Sequence, residues 1–327
     1  LSQAAAQING MIGRQFRSGT HVGLIAKMVQ DLNARLFERA WQLVAPPQLV
    51  AHSCLIVMGS EGRGEQLLKT DQDNALILDN DVRPEHAAYF EALATFVCDA
   101  LVECGYPRCP GDVMATNPRW RVPLSQWRAE FTTWLTEPVP DAILRASIFF
   151  DMRPVYGDPR LFQKLRKHFL KQAPAARLFL AHLTKRATEN EPPLGFFRGF
   201  VLEKQGSNRA TLDIKRGGVG AVVELARVLA LSIGSRAVNT QTRLAAAVDA
   251  GALSPERGQD LRDAFEFISY VRLRHQAAQV RAGKDTDNFV APDDLSSFEK
   301  RHLREAFAIV RSAQSSLSHR YPSTYIS

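Results

Sequence analysis

At 327 residues the chain can bury a sizeable core, and at about 100 to 200 residues per domain it predicts two domains. Hydrophobic residues make up 45% and charged residues 23%, and no apolar run nears the roughly 18 residues that cross a bilayer, so a membrane-spanning helical protein is excluded. The 41 Lys and Arg against 34 Asp and Glu leave a net charge of +7, which suits phosphate-bearing ligands or acidic partners. The basic residues are scattered, and the stretch from Arg272 to Arg281 lies in helical pattern without interleaved exposed aromatics, which argues against a nucleic-acid track.

The opening segment "LSQAAAQINGMIGRQ" has neither an initiator Met nor the charged-then-apolar order of a signal peptide, so we expect a piece of a longer chain with further domains upstream. From Val22 to Val44, Leu24, Ile25, Met28, Val29, Leu32, Leu36 and Leu43 recur at three- to four-residue steps and predict an amphipathic helix that Pro46-Pro47 ends. Leu55-Ile56-Val57-Met58 and Ala75-Leu76-Ile77-Leu78 each read as a buried strand. "DVRPEHAAYFEALATFVCDALVECG" predicts one helix, with an acidic start, Pro84 in a first-turn position and Gly105 as its stop.

Residues 106–121 read as loop and short strand, and Trp127 to Leu135 as helix. "ILRASIFFDMRPV" around Phe149 predicts a strand before the Tyr156-Gly157-Asp158 turn. Beyond Leu161 helical periodicity takes over, in segments near 161–190, 217–234, 238–250, 255–281 and 295–320, punctuated by Gly206, Gly217-Gly218, Gly251 and Pro292. Phe196, Phe197 and Phe200 read as core aromatics where the domains meet. Cys54, Cys98, Cys104 and Cys109 follow no CxxC spacing and lack a nearby histidine pair, so they read as reduced thiols of a cytoplasmic protein.

The connection between the two predicted strands carries the chemistry. Asp71 and Asp73 are two apart at the mouth of a strand, so period-two alternation sends both carboxylates to one face, where a divalent cation such as Mg2+ offsets their repulsion. Twelve residues upstream Gly59-Ser60 follows a strand directly, and a glycine there lets backbone N–H groups and a hydroxyl approach phosphate oxygens. Both halves fit one ligand, a metal-bound nucleoside triphosphate. Gly59 and Gly64 have the spacing of a Walker A loop, but Glu65-Gln66 stands where that loop needs Lys-Ser or Lys-Thr.

Gly59-Ser60 followed by Asp71-x-Asp73 resembles the signature of the polymerase-beta-type nucleotidyltransferases. More narrowly, "GSEGRGEQLLKTDQDNALI" resembles the nucleotidyltransferase domain found beside CBS and cyclic-nucleotide-binding modules in bacterial signalling proteins, a relative of the N-terminal region of PII-protein uridylyltransferases. "CPGDVMATNPRW", "FFDMRPVYGD", "LDIKRGGVGAVVELARVLAL" and "RLRHQAAQVRAGKDTDN" extend the likeness over residues 45–315.

The resemblance implies an α+β fold: a small mixed-sheet nucleotidyltransferase domain followed by an all-helical bundle domain. The expected division is a linker helix over 1–45, a catalytic domain over 46–165 and a helical C-terminal domain over 166–327. The family's third carboxylate falls on Asp151, with Asp158 as rival; pairing of Asp151 with Arg153, or a turn cap, is the other reading of that residue. Asp71, Asp73 and Asp151 would then hold two Mg2+ ions, with Mn2+ as a substitute, for transfer of UMP or AMP from UTP or ATP to a hydroxyl of a protein or small molecule, pyrophosphate leaving.

Gly59 and Ser60 would cradle the β- and γ-phosphates. Arg63 either offsets phosphate charge or pairs with Glu61 or Glu65, and Glu65 orients Arg63 or a metal-bound water. Asn117 either meets sugar or base or serves as a turn residue before Pro118, and Trp120 reads as core. Lys215 resembles a triphosphate contact of the uridylyltransferases, with a solvated lysine as the alternative; Arg272, Arg274 and His275 lie on one helical stretch. No His-Asp pair and no ACT modules appear, so removal of the nucleotide is not expected. A catalytically weak nucleotide-binding regulatory module, or a transferase acting on nucleic acid, are the alternative functions.

Overall fold

Two helices open the chain, α1 (Ser2–Arg17) and α2 (Val22–Gln42). Both are amphipathic: α1 buries Ala5, Ile8 and Ile12, and α2 buries Ile25, Val29, Leu36, Phe37 and Trp41 along one stripe. They pack on each other, and α2 packs on the elements that follow, so residues 1–45 are built into the first of two compact units, Leu1–Gln172 and Ala173–Ser327. The computed structural model describes residues 1–68, 71–195, 199–204 and 208–322.

The first unit continues with a short turn of helix, α3 (Pro47–Val50), then β1 (Ser53–Val57), the five-residue α4 (Gly59–Arg63), β2 (Asn74–Leu78), α5 (Ala87–Glu103), β3 (Arg121–Pro123), α6 (Leu124–Thr136), α7 (Pro140–Phe149), β4 (Arg153–Gly157) and α8 (Pro159–Gln172). The sheet order is β3-β2-β1-β4, with β1 antiparallel to both β2 and β4, and β2 parallel to β3. Every residue of β1 and β2 is buried, which accounts for their unbroken apolar runs. An aromatic cluster of Trp120, Trp127, Phe131, Trp134, Phe149, Phe150 and Phe169 fills the core among β3, α6, α7 and α8, with Trp120 and Phe149 ring centroids 4.7 Å apart.

The strand expected around Phe149 is instead the C-terminal half of α7. Ala142, Ile143, Ala146 and Phe149 recur at helical steps and are buried together, and Pro140 sits in the first turn. Strand geometry begins only at Arg153, so Asp151 lies in the turn between α7 and β4 rather than at a strand end.

The second unit contains α9 (Arg177–Glu189), β5 (Leu212–Asp213), a π-helical turn (Lys215–Gly220), α10 (Ala221–Ser232), α11 (Thr240–Asp249), α12 (Pro255–Arg281), β6 (Phe289–Val290) and α13 (Ser297–Arg320). It is mostly helical, with α10 buried along nearly its whole length among α9, α11 and α13. The strand pair β5–β6, with Leu212 opposite Val290, is a departure from an all-helical bundle. The segment expected over 161–190 is two helices, broken at the 3-10 turn Ala173–Ala175 that contains Pro174.

Helix starts follow their caps. Ser254 Oγ accepts from Arg257 N at 3.3 Å, and Ser296 with Glu299 forms a capping box at α13. Phe200 packs edge-on against Phe307, while Phe196, Phe197 and Gly206 lie outside the described residues. No helix among the described residues is long and apolar enough to cross a membrane.

Candidate active site

The site is assembled where β1 hands over to α4 and where the chain enters β2. The Met58 N–H donates to the Asp73 carbonyl at 3.0 Å, continuing the β1–β2 ladder one step beyond the strands and setting Asp73 against the start of α4. Gly59 takes φ +60°, and a Cβ added there would lie 2.6 Å from Asp73 Oδ2. Both facts call for glycine: the left-handed backbone, and a carboxylate that occupies the space of a side chain.

Alternation then separates two jobs along residues 71–74. Gln72 and Asn74 are only 4% and 6% exposed. Gln72 Nε2 donates to the Cys98 and Tyr106 carbonyls, each at 2.9 Å, and Asn74 Oδ1 accepts from Ala115 N at 2.9 Å. Asp71 and Asp73, of opposite parity, remain half-buried on the other face. Residues 107–113 run alongside, with a parallel bridge between Gln72 and Arg108, Gln72 N donating to Pro107 O at 2.9 Å and Asn74 N to Val113 O at 3.1 Å. That pairing delivers Cys109 to the acidic pair.

Ligand atoms of Asp71, Asp73 and Cys109 all lie within 4.8 Å of one another. Burial pushes the Cys109 thiol up to about 11, and the charge of Asp73 adds to the effect. Two carboxylate oxygens and a sulfur at this separation, half-open to solvent and backed by a glycine that leaves them room, fit a divalent cation, because donors about 2.0–2.3 Å from one ion stand within such a distance of each other.

Asp151 is not part of that group. It is fully buried, and its Oδ2 takes Arg63 Nη1 at 2.6 Å, while Arg63 Nε reaches Glu65 Oε2 at 2.7 Å. Burial alone would lower the Arg63 pKa, but the two carboxylates overcome it and raise it. The expectation that Asp151 joins Asp71 and Asp73 is corrected here in physical terms: leaving α7 in a turn, its carboxylate points to the guanidinium of α4 and serves as a buried counter-ion. Of the alternatives open for Arg63, the geometry realises a pair with Glu65, and adds Asp151. Arg153, the other candidate partner of Asp151, pairs instead with Glu61 Oε1 at 2.9 Å.

Glu61 is itself buried and completes a chain of contacts that ties α4 to α2. Asn33 Nδ2 donates to Glu61 Oε2 at 2.9 Å, and the Tyr106 hydroxyl to Asn33 Oδ1 at 2.7 Å. Burial raises the Glu61 carboxyl above its ordinary value, against the opposing pull of Asn33 and Arg153. Gly62 faces the backbone carbonyl of Asp151, and a Cβ there would collide with it, so α4 can dock this closely only with glycine at that step.

The remaining candidates occupy other places. Ser60 lies half-buried within α4. Asn117 closes its own turn, accepting from Arg119 N at 2.9 Å and donating to Asp112 Oδ2 at 2.8 Å, as its position before Pro118 allows. Trp120 is core. Asp158 caps α8, accepting from Arg160 N at 2.9 Å, and its carboxyl is lowered chiefly by the Arg160 guanidinium.

Lys215 belongs to the second unit, exposed at the start of the π turn, with its N–H donating to Asp213 Oδ1 at 3.1 Å. There His275 Nε2 meets Asp287 Oδ1 at 2.8 Å, Arg272 Nε meets Asn288 Oδ1 at 2.7 Å, and Arg274 pairs with Glu299. These contacts pin the loop before β6 and the cap of α13 to α12. Cys109 is the residue that sequence reading missed; its neighbours are set by the pairing of 107–113 with 71–74, and no spacing signals it.

The small mixed sheet, with Gly59-Ser60 opening α4 against a paired-aspartate strand mouth, and the mostly helical second unit fit the nucleotidyltransferase class. Residues 6–141 match the family described as "Putative nucleotidyltransferase DUF294", and residues 177–321 match its companion, "Putative nucleotidyltransferase substrate binding domain". Together these cover most of the chain, which belongs to this family. A search of curated proteins finds no match.

Proposed function

We propose that this chain transfers a nucleoside monophosphate, UMP or AMP, from UTP or ATP to a hydroxyl of a protein or small-molecule acceptor, in the manner of the PII-protein uridylyltransferases. The observation that supports this reading is the seating of the Asp73 carboxylate against Gly59, where the Gly59-Ser60 step opens α4, with Asp71 close enough to share a cation with it. Asp71 and Asp73 would hold a divalent cation, Mg2+ or Mn2+, and its chemistry there is to offset triphosphate charge and polarise the α-phosphorus for in-line attack. Gly59 and Ser60 contact the β- and γ-phosphates. Asp71 or Asp73 takes the proton of the attacking hydroxyl, and pyrophosphate leaves. The Arg63–Asp151 pair holds α4, and with it Gly59 and Ser60, in place. Signal transduction, a cytoplasmic setting and upstream CBS or cyclic-nucleotide-binding domains belong to the same reading.

One observation favours a second reading, a nucleotide-binding regulatory module with little turnover: among the described residues, Asp71 and Asp73 have no third carboxylate within 4.8 Å. Incubation of the protein with Mg2+ or Mn2+, each α-labelled nucleoside triphosphate and an extract of its source separates the two. Label on a protein or small molecule, absent with Asp71→Ala/Asp73→Ala, supports transfer. Nucleotide binding without pyrophosphate release or label in any fraction supports the regulatory module, and label on RNA alone supports a nucleic-acid acceptor.

A further inference from the structure

Asp71 and Asp73 approach the candidate cation site from one strand mouth, and the third ligand atom within reach is a sulfur delivered by a different loop. We infer that Cys109 is the third protein donor of this site, so that it selects a borderline divalent ion such as Co2+ or Zn2+ over Mg2+. This rests on the reading that the aspartate pair holds the cation, and it deepens that reading by naming the class of metal.

Three features carry it. The sulfur and the two carboxylate oxygens lie within 4.8 Å of one another. The loop bearing Cys109 is fixed by backbone pairing on both sides, Gln72 N to Pro107 O at 2.9 Å and Asn74 N to Val113 O at 3.1 Å, so its position beside the pair is set by the fold rather than by one side-chain rotamer. The acid assigned from sequence to complete the site, Asp151, is engaged by Arg63 at 2.6 Å.

A sulfur donor in place of a carboxylate changes which ion binds. Magnesium takes hard oxygen ligands at about 2.0–2.1 Å and gains nothing from sulfur, whereas zinc binds thiolate at about 2.3 Å, and affinity along the first-row series rises from manganese towards zinc. As the sulfur–metal bond forms, the thiol proton passes to solvent. Cys109 is also the half-buried cysteine of the four; Cys54, Cys98 and Cys104 are buried, so chemical probes of accessible thiol report on Cys109.

The test uses the purified chain with Co2+, Zn2+, Mn2+ and Mg2+ in turn. Co2+ should give the near-ultraviolet absorption of a thiolate ligand. Co2+ or Zn2+ should slow alkylation of Cys109 by iodoacetamide, read by mass spectrometry, while Mg2+ should not. Cys109→Ser should remove the absorption and lower Co2+ and Zn2+ affinity on the order of 10- to 100-fold while changing Mg2+ affinity little. Co2+ binding that depends on Asp71 and Asp73 but shows no thiolate absorption and leaves Cys109 alkylated at the metal-free rate would overturn this inference and leave the proposed function standing. Binding of no ion, with or without nucleotide, would overturn both.

Discussion

Asp73 takes part in the structure through its backbone and in the site through its side chain, and the two roles come apart on substitution. Its carbonyl holds Met58 N, which Asn leaves intact, while its Oδ2 faces Gly59 and the half-open side of the strand mouth. Asp73→Asn should lower Mn2+ affinity on the order of 100-fold, measured by calorimetry, because one of the two carboxylate donors becomes a neutral amide. Thermal stability should stay within about 0.5 kcal/mol of wild type, since the change is isosteric and removes like-charge repulsion. A large fall in melting temperature with unchanged metal affinity would make Asp73 structural.

Arg63 makes the opposite case. Asp151 is fully exposure-free and its carboxylate rests on Arg63 at 2.6 Å, so Arg63→Ala leaves a buried charge without this partner. We expect a loss of about 3–5 kcal/mol in denaturant unfolding. If Arg63 instead served chiefly to bind phosphate, unfolding would be near wild type and only nucleotide affinity would fall.

At the scale of elements, α4 is five residues long and could not persist alone; it is held by what it touches. Glu61 fastens it to α2 through Asn33 and to β4 through Arg153, and the carboxyl is raised by burial. An acid raised in the folded state binds its proton more tightly there than in the unfolded chain. Its contribution is therefore fully present below the unfolded value, near 4.5, and is lost as pH rises through the folded value. Urea unfolding of Glu61→Gln should thus lack a decline in stability that wild type shows from about pH 5 upward. Equal slopes in the two proteins would remove Glu61 from the pH response.

β1 and β2 were legible in the sequence because both faces of each strand are buried, which writes an apolar run, and α5 because its period and Gly105 stop agree, although Pro84 opens a separate 3-10 turn (Pro84–His86) and α5 begins only at Ala87. Asp71 and Asp73 were legible because strand parity needs only the chain itself. The helix α7 was misread because Phe149 and Phe150 are adjacent and aromatic, a local strand signal, while the buried step from Ala142 to Phe149 is helical. Cys109 and the Arg63–Asp151 pair are long-range events: 36 residues separate Asp73 from Cys109 and 88 separate Arg63 from Asp151, and only sheet pairing and the exit angle of α7 bring them together.

The whole molecule consists of two units, Leu1–Gln172 and Ala173–Ser327, each with its own core: the aromatic cluster around Trp127 in the first, and the buried length of α10 in the second. All the metal-binding candidates, Asp71, Asp73 and Cys109, belong to the first unit, and Lys215 to the second. A unit with its own core unfolds as its own cooperative block. A fragment of residues 1–172 should therefore show one sharp thermal transition and bind Mn2+ within about 3-fold of the intact chain, a difference below ~1 kcal/mol. The helices α1 and α2 must be kept, because α2 supplies Asn33 to Glu61 and packs Phe37 against Tyr106 with ring centroids 5.6 Å apart. Removing residues 1–45 from that fragment should abolish the sharp transition and metal binding together. If the shortened fragment unfolds as sharply and binds Mn2+ as well as its parent, those two helices are a linker after all, and the site is held by the sheet alone.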